Sequence, residues 1–99
     1  MSAYVIFIRT QTRVSAELEL YAQKALASLA GHSVEIRALY GHHEVIEGAE
    51  IEGAAILEFP SFAEARQWYD GAFYHEAREH RLRGADCMGI IVEGFSRTS

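Results

Sequence analysis

The side chains most able to do chemistry crowd into the last third of the chain. His75-Glu76-Ala77-Arg78-Glu79-His80-Arg81 brings two imidazoles, two carboxylates and two guanidinium groups into one short segment. A zinc helix needs two histidines four apart on one face. His75 and His80 stand five apart, about 140° around a helix, so they diverge. Glu76 with His80, or His75 with Glu79, offers two ligands per face, fewer than a metal centre takes. The segment reads as a solvated helix face with carboxylate–cation pairs at three- and four-residue spacing, and no metal is expected.

Arg81 and Asp86 carry a sharper possibility, because they flank the turn from the last helix to the last strand. As a structural pair they pin that junction by a bidentate bond. As a functional pair, Arg81 anchors a ligand anion at the mouth of a cleft between helices and sheet, and Asp86 is the general base. Trp68, Tyr69, Phe73 and Tyr74 supply the aromatic wall such a cleft needs, with His80 as a further ligand contact. Plain core packing at helical spacing accounts for any one of those aromatics more readily. His42 and His43 are adjacent on a predicted strand, so they point to opposite faces. His43 is the candidate for proton transfer if it turns toward a ligand. Cys87, beside Met88 at the start of an apolar run, reads as a buried, inert thiol.

These residues need elements to hold them. Ala3 to Arg9 is a continuous run rich in β-branched and aromatic residues, a strand covered on both faces. Leu18, Tyr21, Ala22, Ala25, Leu26 and Leu29 then form one apolar helical stripe, with Ser15 as its cap and Gly31 at its end. Val34 to Tyr40 is a second strand, bent at Gly41 and continued by His43 to Glu47. Glu50 and Glu52 lie in an acidic turn, and Ala54 to Phe59 is a third strand stopped by Pro60. Ser61-Phe62-Ala63-Glu64 is a capping box for a second helix, interrupted at Asp70-Gly71 and resumed from Phe73 to Leu82. Cys87 to Val92 is the last strand.

The order is β-α-β-β-α-β, an α+β fold in which right-handed crossovers put all helices on one face of a four-stranded antiparallel sheet. Strands one, three and four nevertheless carry apolar residues on both faces. An uncovered apolar sheet is rare on a monomer, so the chain is expected to homodimerise through the sheet face.

Composition agrees with one small domain over residues 1–99: 49% of the residues are hydrophobic and 23% charged. The single cysteine rules out an intramolecular disulfide. A net charge of −5 argues against binding nucleic acid through phosphate neutralisation. The first apolar run is too short for a signal peptide core or a membrane span, so the expected location is cytoplasmic, with no membrane partner.

Leu57-Glu58-Phe59-Pro60-Ser61, Ala65, Tyr69, Tyr74, Arg81, Ala85-Asp86 and Val92-Glu93-Gly94 resemble domain-of-unknown-function family 1330. The resemblance runs without a gap from Leu57 to Gly94 and more loosely from Ala3 through Gly48. It implies a dimeric α+β barrel of ferredoxin-like protomers. That barrel also serves small monooxygenases, muconolactone isomerase and haem-binding peroxidases, so it does not select a reaction. Where the family carries Arg-Gly-Gly on its second strand this chain has Leu39-Tyr40-Gly41, and His75 and His80 replace Gln and an apolar residue.

Two functions follow as expectations. One is a cofactor-free enzyme, acting by proton abstraction or oxygenation on an aromatic or carboxylate-bearing compound. The other is a non-catalytic ligand-binding or stress-related dimer. No cofactor is expected in either.

Overall fold

The computed structural model describes residues 1–95. Its elements run β1 (Ala3–Thr12), α1 (Ser15–Ser28), β2 (Glu35–Leu39), β3 (Gly53–Phe59), α2 (Phe62–Asp70), α3 (Ala72–Gly84) and β4 (Ala85–Glu93). The strands form one antiparallel sheet in the order β2-β3-β1-β4, the α+β ferredoxin-like arrangement. β1 lies inside the sheet, which is why its apolar run is unbroken.

Strand alternation divides the sheet into two unlike faces. Ala3, Val5 and Phe7 of β1, with Ala55, Leu57 and Phe59 of β3, point at the helices and are buried. They meet Trp68 of α2, Tyr74 and Ala77 of α3 and Tyr21 of α1 in the core. The opposite face is built of cross-strand rows, Ile56-Ile6-Ile90 and Ala54-Ile8-Met88. No helix covers it, and Met88 and Ile90 are 56% and 49% exposed.

The helix boundaries have local causes. Ser61 caps α2, its Oγ accepting from Glu64 N at 3.1 Å. Gly71 then breaks the helical layer, with extended backbone that ends α2 and begins α3. α1 begins differently from the sequence expectation. Ser15 is its first helical residue and the capping position is Val14, which offers no side-chain acceptor. The helix start is instead tethered to the end of α3, where Gly84 O accepts from Arg13 N and Val14 N at 2.7 and 3.0 Å. α1 ends at Ser28, and Gly31 follows with φ +83°.

The expected continuation of the second strand through His43 to Glu47 does not form. Tyr40 takes φ +53° and turns the chain out of the sheet after Leu39. The segment from Gly41 to Glu50 makes no ladder, and almost all of it is exposed. The Tyr40 ring is seated over Gly53, where a Cβ would stand 2.9 Å from its Cδ1.

Candidate functional site

A cavity of about 430 Å³ lies between β4 and the α2–α3 pair. Its wall is Val5 and Phe7 from β1, Cys87, Gly89 and Ile91 from β4, and Arg66, Tyr69 and Arg81 from the helices. Alternation puts Cys87, Gly89 and Ile91 on the helix side of the edge strand. Gly89 makes room for an aromatic ring, because a Cβ there would stand 2.9 Å from Phe7 Cδ1 and Cε1. Among the described residues two arginines line the cavity and no carboxylate does, in a chain whose net charge is −5.

Arg81 is the unusual member. It is only 5% exposed, and its Nε has no hydrogen-bond partner. Its guanidinium lies over the Phe7 ring, 4.7 Å from the centroid. The polar groups beside it are the Tyr74 hydroxyl and the Cys87 thiol, and no carboxylate pairs with it among the described residues. A guanidinium stays protonated in proteins, so this is a buried charge without a counter-charge. Such a charge normally carries a penalty of several kcal/mol unless an anion completes it.

Behind Arg81 the interior is aromatic. Tyr74 is fully buried, stacked on Phe7 at 6.0 Å and tilted against Trp68 at 4.2 Å. Its hydroxyl is 3.0 Å from that of Tyr21. Burial is the main reason that the Tyr74, Tyr21 and Tyr40 phenols all titrate above their ordinary range, so they are neutral near pH 7. Trp68 Nε1 donates to the buried Ser28 Oγ at 3.0 Å. A second, smaller space of about 190 Å³ opens between α1 and β2–β3. The apolar stripe of α1 faces this gap without closing on the sheet, and Arg9 and Tyr40 also line it.

The family model for the domain of unknown function DUF1330 matches residues 2–95. The chain belongs to DUF1330. No curated protein matches it. Among solved structures, this DUF1330 chain is similar to a protein of unknown function from Rhodopseudomonas palustris. The TM-score is 0.75 at 14% identity, covering 96% of this chain and 83% of that one. A dimeric protein of unknown function with a ferredoxin-like fold from Bacteroides fragilis gives a TM-score of 0.60 at 16% identity, covering 94% and 96%. SnoaB, a cofactor-independent oxygenase from Streptomyces nogalater, gives 0.57 at 10% identity, covering 96% and 93%.

The residues singled out in the DUF1330 sequence are distributed unevenly around the cavity. Arg81 and Tyr69 line it, whereas Trp68 lines the smaller space and Tyr74 is sealed in the core. Phe73 is 79% exposed and belongs to no wall. The Arg81–Asp86 pair does not form. Asp86 lies on the other parity of β4 and bonds Arg13, which also donates to Leu82 O. The junction is thus pinned, but by an arginine from the β1–α1 connection. His80 faces α1, where its Nδ1 is 2.6 Å from Glu17 Oε2. His43 sits in the exposed loop after β2, its Nε2 3.2 Å from Ile51 O. Neither His80, His43 nor Asp86 reaches the cavity.

Sequence reasoning missed Cys87 and Arg66 as wall residues. The signal for Cys87 was the alternation of β4, which pairs it in face with Gly89 and Ile91. Arg66 is four residues before Asp70, its partner at 2.9 Å, the spacing of an ordinary surface pair on a helix.

Proposed function

We propose that this DUF1330 chain is a homodimer joined through the open sheet faces. Each protomer binds a small apolar or aromatic carboxylate between β4 and the α2–α3 pair. One observation carries the ligand assignment: Arg81 is a buried guanidinium, without a carboxylate partner among the described residues, in the wall of a cavity that Phe7, Tyr69 and Ile91 also line. A carboxylate supplies the missing counter-charge, and Phe7, Tyr69 and Ile91 receive the apolar body. The dimer is supported by the apolar Ile56-Ile6-Ile90 row, half-buried at Ile56 and Ile6 and exposed at Ile90, and by similar proteins from Bacteroides fragilis and Thermobifida fusca that are described as dimeric.

Cofactor-free oxygenation or proton abstraction is the enzymatic form of this reading, and SnoaB is a cofactor-independent oxygenase of similar fold. The absence of any imidazole or carboxylate from the described cavity wall favours non-catalytic binding, because no ordinary base stands over the ligand.

Thermal unfolding with phenylacetate and with its uncharged isostere phenylacetamide tests the ligand assignment. At about 100 times its dissociation constant a ligand adds about 2.7 kcal/mol of stability. At that excess phenylacetate is expected to raise Tm by about 10–20 °C and phenylacetamide to leave it unchanged. Equal shifts from both, or none from either, refute the carboxylate site. Sedimentation at the protomer mass of 11.1 kDa refutes the dimer.

A further inference from the structure

We propose that the cavity is also a carboxylate-directed thiol site, in which Arg81 holds the carboxylate of an α,β-unsaturated acid while Cys87 Sγ adds to its β-carbon. This rests on the carboxylate reading above. Two independent features converge on it. Cys87 is half-buried in the cavity wall, on the face of β4 turned toward the helices. Arg81, in the same wall and beside that thiol, is a buried charge whose Nε bonds nothing. Gly89 follows two residues later on the same face, with the Phe7 ring seated over it.

In an α,β-unsaturated acid the β-carbon is two atoms from the carboxylate carbon. Neighbouring wall groups therefore engage both ends of one small ligand. The Sγ–Cβ bond forms, the ligand's C=C π bond breaks, and the thiol proton ends on the α-carbon. No oxidant, reductant or leaving group is involved. Arg81 acts by position, keeping the β-carbon against the sulfur, and such placement accelerates a bimolecular addition. Cys87 is the sole cysteine, so a thiol adduct is unambiguous by intact mass.

The test compares labelling rates with acrylate and acrylamide, which share an acceptor and differ in charge. The acrylate-to-acrylamide rate ratio is measured on the folded protein and on the urea-unfolded chain, which sets the intrinsic ratio. Folding is expected to raise the ratio on the order of tenfold, the equivalent of one charge-assisted hydrogen bond. Arg81→Met removes the gain and Arg81→Lys keeps part of it. Should Arg81→Met not fold, phenylacetate competition on the unmodified protein replaces it, slowing acrylate far more than the unfolded chain allows. A ratio unchanged by folding, or labelling indifferent to phenylacetate, overturns the thiol proposal. If phenylacetate still raises Tm in that case, the carboxylate reading stands alone. If it does not, both fall.

Discussion

Arg81→Met separates a ligand anchor from a structural anchor, because the two roles predict opposite stability changes. In the absence of ligand, Arg81 keeps an unbonded Nε inside the protein, a defect of about 1–3 kcal/mol. Against that stands its contact with the Phe7 face, 4.7 Å to the centroid and worth about 0.5–2 kcal/mol. Methionine has similar reach, leaves no polar atom unpaired, and retains a favourable sulfur contact with Phe7. The variant is therefore expected to be as stable as the parent, or more stable by up to about 2 kcal/mol. For a domain of this size each kcal/mol moves Tm by about 4–8 °C. Binding should respond the other way. Losing a hydrogen bond to a charged group removes about 1.5–3 kcal/mol, a weakening of phenylacetate affinity on the order of ten- to a hundredfold. Urea unfolding at fixed protomer concentration gives the first quantity and calorimetric titration the second. A loss of stability beyond about 2 kcal/mol, or unchanged affinity, shows that Arg81 serves the core and refutes its assignment to a ligand.

Tyr21→Phe leaves the buried Tyr74 hydroxyl without its 3.0 Å partner and is expected to cost about 1–3 kcal/mol in urea unfolding. A Tyr21→Phe/Tyr74→Phe double variant should cost less than the two single changes together. Ile6→Asp places a charge in the middle of the open sheet's Ile56-Ile6-Ile90 row, and should convert dimer to folded monomer by sedimentation with its far-ultraviolet spectrum retained. The raised phenol pKa values of Tyr21, Tyr40 and Tyr74 make a pH prediction. Their contribution is fully present below the unfolded tyrosine value near 10 and falls as pH rises above it. Chemical-denaturation midpoints should drop above about pH 10, less steeply in Tyr74→Phe; equal slopes in the two proteins contradict the assignment.

Much of the fold was legible in the residues because it is written in local periodicity. The β1 run, the α1 stripe, the Ser61 cap and the Asp70-Gly71 break each depend on neighbours within a few positions. The apolar surplus on the open sheet face was equally readable, since alternation along a strand fixes which residues share a face. What failed depended on distant partners. His43 to Glu47 has a passable strand pattern, but Tyr40 turns the chain away at φ +53°, its ring seated over Gly53, thirteen positions on.

The candidate site shows the same division. The sequence by itself determined that Arg81 stands near the end of the last helix, just before the turn into the last strand, with aromatic residues on the preceding turns. Only the tertiary structure decided which carboxylate that arginine meets. A β-bulge between Arg9 and Gln11 brings Asp86 opposite Gln11, and Arg13 takes it. Arg81 is left facing Phe7 and a half-buried thiol. Charge pairing is set by distances across the fold, here between side chains more than seventy positions apart in sequence for Arg13 and Asp86. Local pattern carries no record of such distances. An arginine that looked paired in sequence is, in three dimensions, a buried charge with no carboxylate beside it among the described residues.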